Sequence, residues 1–242
     1  MVDRGHSSGV MEVIESFPLC KEVRVQNRHS YHGNSFNVLE GYKYAFSISG
    51  DCESKLVYLI EEDIWVGKDF FDFHETVQSQ FNPFCLSAVR CQNDTTQHPQ
   101  DASSVYYHNT FQSLGLSWKV DKLAQVVKHA RPEYYRNMRG YIRALAPKST
   151  YGDSWTEQDG LINRLAELSD VKCLYPYVPR AFHAGFVGYN RRGTPLDGSR
   201  EERIAALKSM SAEDMNNHAI EYKDITPIDT IIDHQVKEYV LK

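Results

Sequence analysis

The chain has 242 residues, of which 41% are hydrophobic, and its 27 basic and 32 acidic side chains give a net charge of -5. This length and hydrophobic content can supply the core of one domain, or of one domain with a tail. The negative charge excludes a general electrostatic attraction to nucleic acid or to an anionic membrane, while a local basic patch stays compatible with it.

The cysteines and the hydrophobic runs predict the compartment. Five cysteines are present, and no two of them are spaced as CxxC, which argues against a zinc site. The N-terminal residues contain no apolar signal core, and no later segment is long enough to span a bilayer. We therefore expect a cytoplasmic protein that makes no contact with a membrane, in which reduced thiols, or one disulfide beside free thiols, fit the composition.

The first predicted elements alternate between strand and helix. Glu22–Gln26 alternates in the manner of a strand, and Ser35–Phe46 has apolar residues at helical spacing, with Asn34 or Ser35 as the cap. The apolar run Leu56–Ile60 is too short for a helix and indicates a buried strand. This strand–helix–strand order favours a parallel α/β sheet.

Further elements are predicted in the rest of the chain. Ile64–Phe73 is predicted as a turn leading into an aromatic-rich helix, Phe84–Val89 as the next strand, and residues 90–104 as a loop. The remaining elements are helices over 124–129, 133–145 and about 156–168, and a short strand over 172–175. From Ser199 the sequence is charged and helical, so residues 196–242 are predicted to be a tail that packs on the domain or on a partner.

Three acids follow the apolar run Leu56–Ile60 directly: Glu61, Glu62 and Asp63. Charges at the carboxyl end of a buried strand lie where open α/β sheets build their ligand sites. Adjacent carboxylates repel one another unless a cation or hydrogen-bond donors neutralise them. The pattern predicts a site for a metal and a diphosphate at the sheet edge, and its plain alternative is a solvated acidic turn.

Four more motifs follow this acidic strand in a fixed order: FCLSA with Asn93-Asp94, FQSLGLSW from Phe111, YGDSW from Tyr151 and PRAFHAGFVGYN from Pro179. Together with residues 55–71 they resemble motifs of GT-A glycosyltransferases. The sequences of these motifs most resemble those of the N-acetylglucosaminyltransferase I and protein O-mannose N-acetylglucosaminyltransferase group. The resemblance spans roughly residues 20–195.

The resemblance implies a fold and a domain plan. It implies a GT-A (Rossmann-like) α/β domain over residues 1–195, with a mostly parallel sheet flanked by helices, followed by a helical C-terminal tail over 196–242. In the family, an opening strand and helix hold the uracil and the ribose. Here that unit is missing or reduced to Met1–Gly9, so the pocket is open on one side, the chain is a fragment, or a partner chain supplies the missing N-terminal unit.

The resemblance also implies a reaction. A sugar, N-acetylglucosamine or another hexose, moves with inversion from a nucleotide-diphosphate sugar, expected to be a UDP-sugar, to a hydroxyl acceptor of unknown class. Asp63 is the expected ligand of Mn²⁺ or Mg²⁺, Glu62 contacts the ribose or a metal-bound water, and Glu61 anchors the turn. The alternative function is a non-catalytic GT-A-like binding or assembly module that another chain completes.

Three carboxylates compete for the role of general base. Asp153 matches the wording of the family's Asp-x-Trp segment, and burial beside Trp155 would raise its pKa as a base requires. Glu157 and Asp159 are the competitors, and their alternative role is that of ordinary acids at a helix N-terminus. The sequence leaves this choice open.

Five further residues are predicted to contact the substrates, each with a structural alternative. His183 and Gly185 lie in the loop that the family closes over the nucleotide, although a histidine satisfied by backbone fits as well. Arg180 is expected near the diphosphate or else on the surface. Asn34 lies where the family contacts the donor, or else serves a turn, and Trp118 stacks on an acceptor sugar or else lies in the core.

Overall fold

The computed structural model describes residues 12, 16, 33–51, 55–61, 64–91, 101–152, 155–183 and 238–241. The chain divides into two compact units. Unit one combines the residues up to Val57 with Lys119–Asp170, and unit two combines Tyr58–Trp118 with the residues from Val171 onward. Helices and strands alternate along the chain, so the predicted α/β class is confirmed. Within the ranges given above, no helix is both long enough and apolar enough to cross a membrane.

Six α-helices and eight strands form the described elements. The helices are α1 Asn34–Ile48, α2 Phe70–Gln80, α3 Val120–Val127, α4 Pro132–Arg136, α5 Met138–Leu145 and α6 Gln158–Ser169, and a 3₁₀ turn covers Ser49–Asp51. The strands are β1 Leu56–Leu59, β2 Ile64–Val66, β3 Leu86–Ser87, β4 Ser104–His108, β5 Leu116–Lys119, β6 Cys173–Pro176, β7 Ala181–His183 and β8 Val240–Leu241.

Helices build unit one. Helix α1 packs against α3 and α6, and α4 packs against α5. Along each helix, the apolar side chains that face its neighbours are spaced three or four residues apart. Leu39 on α1, Leu123 on α3 and Leu165 on α6 are examples, and all three are buried. The helix predicted over 133–145 is divided at Asn137, whose backbone leaves the helical region and whose side-chain oxygen accepts a hydrogen bond from the Gly140 amide at 2.9 Å.

The main sheet is mixed rather than mostly parallel. Its strand order is β1-β5-β3-β6-β4-β8. Strand β3 runs parallel to β6, and β4 runs parallel to β8, whereas β5 is antiparallel to β3 and β4 is antiparallel to β6. The prediction of a mostly parallel sheet is wrong, because three strands, β4, β5 and β8, run opposite to β3 and β6. None of the three was predicted as a strand: β5 lies in the FQSLGLSW motif, β4 starts at the last residue of the predicted loop, and β8 lies in the predicted helical tail.

A second, two-stranded sheet pairs β2 with β7. The strands are antiparallel, with Ile64 opposite His183 and Val66 opposite Ala181. Residues 64–66 were predicted as part of a turn, and the helix after them begins only at Phe70. Three residues are too few to show a strand period, so the pairing with a distant segment decides the structure here.

The end of the chain belongs to unit two. Most of the predicted helical tail, residues 196–237 and Lys242, lies outside the described residues. Its described end is not helical, since Val240–Leu241 form strand β8 on the edge of β4. Tyr239 is buried in a cluster that includes Phe73 and Val105, so the described residues at this end pack in unit two.

Candidate functional site

Three strands of the main sheet end on the same side. The Val120 amide, just after β5, donates to the Lys55 carbonyl, just before β1, at 3.2 Å, so β1 and β5 are antiparallel. Because β5 is also antiparallel to β3, and β3 is parallel to β6, strands β1, β3 and β6 share one direction. Ligand sites of open α/β sheets lie outside the carboxyl ends of such strands.

The acidic turn follows β1 at this end. Glu61 is half-buried, and its carbonyl accepts a hydrogen bond from the Ile64 amide at 3.1 Å, which ties the two ends of the turn together. Glu62 and Asp63 lie outside the described residues, so their roles stay predictions. Among the residues that the structure covers, no three His, Cys, Asp or Glu side chains form a group able to hold a metal. A set of carboxylates at positions 61–63 nonetheless has the oxygen donors that Mn²⁺ and Mg²⁺ prefer.

The β2–β7 ribbon brings two distant motifs together. Ile64, the residue directly after Asp63 in the sequence, pairs with His183 of the PRAFHAGFVGYN motif. The backbone of His183 thus lies beside the strand that leaves the acidic turn. Gly185, two residues further on, lies outside the described residues.

Arg180 holds this ribbon from inside the protein. Its side chain is fully buried, Nε lies 2.7 Å from Asp69 Oδ2, and the other guanidinium nitrogens donate to the carbonyls of Ala102 and Val178. Its guanidinium carbon lies 5.4 Å from the centre of the Phe73 ring. The alternative prediction, that Arg180 lies on the surface, is therefore wrong. Its guanidinium nitrogens donate to acceptors within the protein.

Local packing explains why the FQSLGLSW motif contains a glycine, Gly115. Gly115 has a φ of 55°, and its carbonyl accepts from the Ala88 amide at 2.8 Å. A Cβ at this position would lie 3.2 Å from the Cβ of Ala181 and 3.4 Å from that of Ala88. A left-handed backbone and this close approach both favour glycine, which lets the β3 end and the ribbon meet.

Trp118, from the same motif, lies in the core. It has no exposed surface, its ring stacks on Phe111 at a centroid distance of 5.8 Å, and it contacts Phe84 edge-on at 5.6 Å. No face of the indole is left for a sugar. We therefore assign Trp118 to the core, which corrects its prediction as a substrate-binding residue.

Unit one contains the competing carboxylates at the start of α6. Glu157 is exposed at the N-cap position, and Asp159 lies in the first turn. One carboxylate oxygen of Asp159 is buried and has no hydrogen-bond partner among the described residues. Burial, and secondly the charge of Glu157, raise the pKa of Asp159 from 3.8 to about 6. A carboxyl group with such a pKa can exchange a proton near neutral pH.

A buried arginine fixes the segment before α6. Arg164 donates to the carbonyls of Trp155 at 2.7 Å and Gly160 at 2.9 Å, and also to that of Gly152. Asp153 itself lies outside the described residues, but the carbonyls on both sides of it in the chain are thus bound by one guanidinium. Sequence reasoning missed Arg164, because a lone arginine on an amphipathic helix usually indicates an exposed face.

Helix α1 supports the same region. The Ser35 hydroxyl donates to Gln158 Oε1 at 2.7 Å, and the Gln158 amide donates to Ser35 Oγ at 3.2 Å, which caps α6 from a neighbouring helix. The Tyr134 hydroxyl donates to the Thr156 carbonyl at 2.9 Å. Asn34 is exposed at the first residue of α1, so its neighbour Ser35 makes the contact with α6.

The predicted site residues are thus divided between two units. Unit two positions Glu61, Arg180 and the backbone of His183, and unit one positions Asn34, Glu157 and Asp159. Glu62, Asp63, Asp153 and Gly185 lie outside the described residues. A scan against protein-family models finds no match to this chain, and a search of curated proteins finds none either.

Proposed function

We propose that this protein is a metal-dependent glycosyltransferase of the GT-A type, which transfers a sugar from a UDP-sugar to a hydroxyl acceptor. The observation that carries the proposal is the β2–β7 ribbon. It pairs the residue that follows the acidic triplet, Ile64, with His183 of the motif expected to close over the nucleotide. The acidic segment and the motif that the family resemblance assigns to the nucleotide are thus neighbours along this ribbon.

The direction of the strands supports a donor site in unit two. The acidic turn follows β1, and the segment leading to Arg180 and β7 follows β6, which runs in the same direction. A phosphate-bearing ligand outside these strand ends would meet the position that α/β sheets commonly use for ligands. The mixed sheet with flanking helices is compatible with a Rossmann-like domain, and its assignment as GT-A belongs to this proposal.

The carboxylates at the acidic turn would hold the metal. Asp63 would bind Mn²⁺ or Mg²⁺, with Glu62 nearby in the sequence, and Glu61 would keep the turn closed through its carbonyl. When bound, the cation supplies positive charge that stabilises the leaving diphosphate.

Asp159 is our proposed general base. Transfer with inversion needs a group that accepts the proton of the acceptor hydroxyl. With a pKa of about 6, Asp159 is ionised at pH 7 to 8 and is still a stronger base than an ordinary aspartate. Asp153 remains the alternative, because it matches the family's Asp-x-Trp motif.

Calorimetric titration tests the donor site. UDP and UDP-N-acetylglucosamine would be titrated into the protein with and without Mn²⁺. We expect binding that Mn²⁺ strengthens, and we expect Asp63→Ala to abolish the strengthening. Asp72→Ala is the matched control, since Asp72 is an exposed carboxylate in the first turn of α2.

Failure of this titration would point to the alternative function. If neither nucleotide binds at millimolar concentration, the donor site is refuted, and a non-catalytic module completed by another chain becomes the better description. If both bind but Asp63→Ala behaves like Asp72→Ala, the metal assignment is wrong while donor binding stands.

A further inference from the structure

Two buried cysteines of unit two lie side by side on neighbouring strands. Cys85 is the residue before β3, and Cys173 is the first residue of β6, which runs parallel to β3 with Leu86 opposite Leu174. Neither cysteine has any exposed surface. The Cys85 thiol is hydrogen-bonded to that of Cys173, so the two sulfur atoms are neighbours in the folded protein.

The backbone around the two cysteines has the geometry that a disulfide needs. The Leu174 amide donates to the Cys85 carbonyl at 2.9 Å. Before the pair, the Phe84 amide donates to the Lys172 carbonyl at 2.9 Å, so hydrogen bonds join the two segments on both sides of the cysteines. Neighbouring strands are about 4.8 Å apart, and a disulfide spans Cα–Cα distances of roughly 4.4–6.8 Å. The sulfur atoms can therefore be linked with little movement of the backbone.

The third described cysteine has a contact of its own. Cys91 is also a buried free thiol, and its Sγ lies 3.4 Å from His108 Nδ1. Cys20 and Cys52 lie outside the described residues. Among the cysteines that the structure describes, the pair on β3 and β6 is thus the one placed for a cross-link.

We infer that Cys85 and Cys173 form a disulfide when the protein folds in an oxidising environment, and that this bond ties β3 to β6. One cysteine thiolate attacks a small disulfide such as oxidised glutathione, which releases one molecule of reduced glutathione and leaves a mixed disulfide. The second thiolate attacks the cysteine sulfur of that mixed disulfide and releases another. The two cysteines lose two electrons and two protons in total, and the glutathione disulfide gains them.

Burial determines when this bond can form. Burial, followed by the hydrogen bond and the charge interaction with Cys173, raises the pKa of the Cys85 thiol. A thiol held in its protonated form reacts slowly, because the thiolate is the nucleophile. The exchange therefore belongs to folding, before the strands close over the sulfur atoms. The inference does not depend on the proposed glycosyl transfer.

Oxidative refolding of the full chain tests the inference. The protein is unfolded under reducing conditions, then refolded either in a mixture of reduced and oxidised glutathione or in excess reductant, and its free thiols are alkylated. Trypsin should release Cys85 in peptide 69–90 and Cys173 in peptide 173–180. We expect mass spectrometry to find these two peptides linked in the oxidised sample alone. The oxidised protein should also unfold at a temperature higher by roughly 10 °C, because the bond closes a long loop.

Substitution of single cysteines provides the controls. Cys91→Ala should keep both the linked peptides and the rise in unfolding temperature, whereas Cys85→Ala and Cys173→Ala should each remove both. The peptide map of the wild-type protein needs no substitution, so it decides the matter even if a variant fails to fold. The inference is overturned if both cysteines are alkylated in the oxidised protein, or if either is linked to a different cysteine. Equal unfolding temperatures for the oxidised and reduced proteins would show that the bond does not tie the strands together.

Discussion

At the residue scale, the carboxyl group of Asp159 links burial to pH. Its pKa is about 6 in the folded protein and 3.8 ordinarily, so ionisation costs folding stability as the pH rises through 6. Well below the ordinary pKa of 3.8 both states are protonated and the cost vanishes, and at pH 4 only a small part of the cost is present. We expect Asp159→Asn to raise the free energy of unfolding at pH 8 by up to about 3 kcal/mol, and to have little effect at pH 4. Urea unfolding at the two pH values measures this.

The cause of this pKa can be tested at its neighbour. The negative charge of Glu157 is the second contribution after burial, so Glu157→Gln should move the pKa of Asp159 back toward its ordinary value. Carbon-13 NMR titration of the side-chain carboxyl groups gives the pKa directly, with Asp121→Asn, an exposed acid on α3, as the control. Titration of Asp159 near pH 4 in the wild-type protein would contradict its burial.

The role of Asp159 as a base has a separate readout. In the proposed reaction, Asp159→Asn should leave binding of the UDP-sugar within about twofold and reduce transfer by 100-fold or more, because proton removal typically contributes 10² to 10⁴ in rate. Isothermal titration gives the binding, and release of UDP in the presence of acceptor gives the rate. If Asp153→Asn shows this behaviour and Asp159→Asn does not, Asp153 is the base.

Two glycines of unit one allow the steric cost of an added methyl group to be compared. A Cβ on Gly160 would overlap the carbonyl oxygen of Trp155, which the Arg164 guanidinium holds in place. At Gly50 a Cβ would meet nothing within 4 Å. We expect Gly160→Ala to destabilise the protein by about 2–4 kcal/mol, since backbone must move, and Gly50→Ala to change stability by less than about 1 kcal/mol. Equal denaturation midpoints for the two variants would show that the Trp155 carbonyl is free to move.

At the element scale, one buried ion pair joins the start of α2 to the start of β7. Asp69 precedes α2, and its pairing partner Arg180 precedes β7. Removing one partner leaves a buried charge, so Asp69→Asn and Arg180→Met should each cost about 3–5 kcal/mol, while the double variant should cost less than their sum. A double-mutant cycle in urea measures this coupling, and strictly additive losses would show that the two side chains act independently.

Elements with enough residues to show a period were predictable from the sequence. The apolar spacing of Ser35–Phe46 predicted α1, and the continuous run Leu56–Ile60 predicted β1. The expected burial of this strand is wrong, because β1 lies at the edge of the sheet, where its residues are half-buried and Ile60 is exposed. Strand β2 was missed because three residues show no period, and its partner β7 is remote in the sequence. The break at Asn137 depends on a side-chain cap that competes with a continuous helix, and periodicity does not report it.

The candidate site was predictable in part for a related reason. The motif sequences identified the segments around Glu61 and His183. The β2–β7 pairing brings these segments together, with Ile64 opposite His183. The motifs also included Trp118, which lies in the core. The sequence of a motif does not distinguish an aromatic residue that stacks on a sugar from one that packs in the core. The importance of Arg164 depends on three carbonyls that converge only in the folded chain, so no spacing in the sequence indicates it.

At the scale of the whole molecule, the end of the chain completes the core of unit two. Tyr239 is 5% exposed, its ring contacts that of Phe73 edge-on at 5.4 Å, and its amide donates to Gln80 Oε1 at 3.0 Å. The next two residues, Val240 and Leu241, form β8 and pair with β4. Residues 238–241 therefore cover both an apolar ring and the hydrogen-bonding edge of a strand.

Loss of this closing segment should weaken unit two as a whole. Tyr239→Ala removes the ring that covers Phe73, so we expect the free energy of unfolding to fall by about 2–4 kcal/mol. Val240→Ser alters an exposed side chain of β8 and keeps the strand pairing, so its effect should stay below about 1 kcal/mol. Removal of residues 238–242 should exceed the effect of Tyr239→Ala, because it also exposes the edge of β4. Thermal unfolding of the three variants in parallel decides the point: if the truncated chain is as stable as the wild-type protein, β8 contributes nothing to the fold.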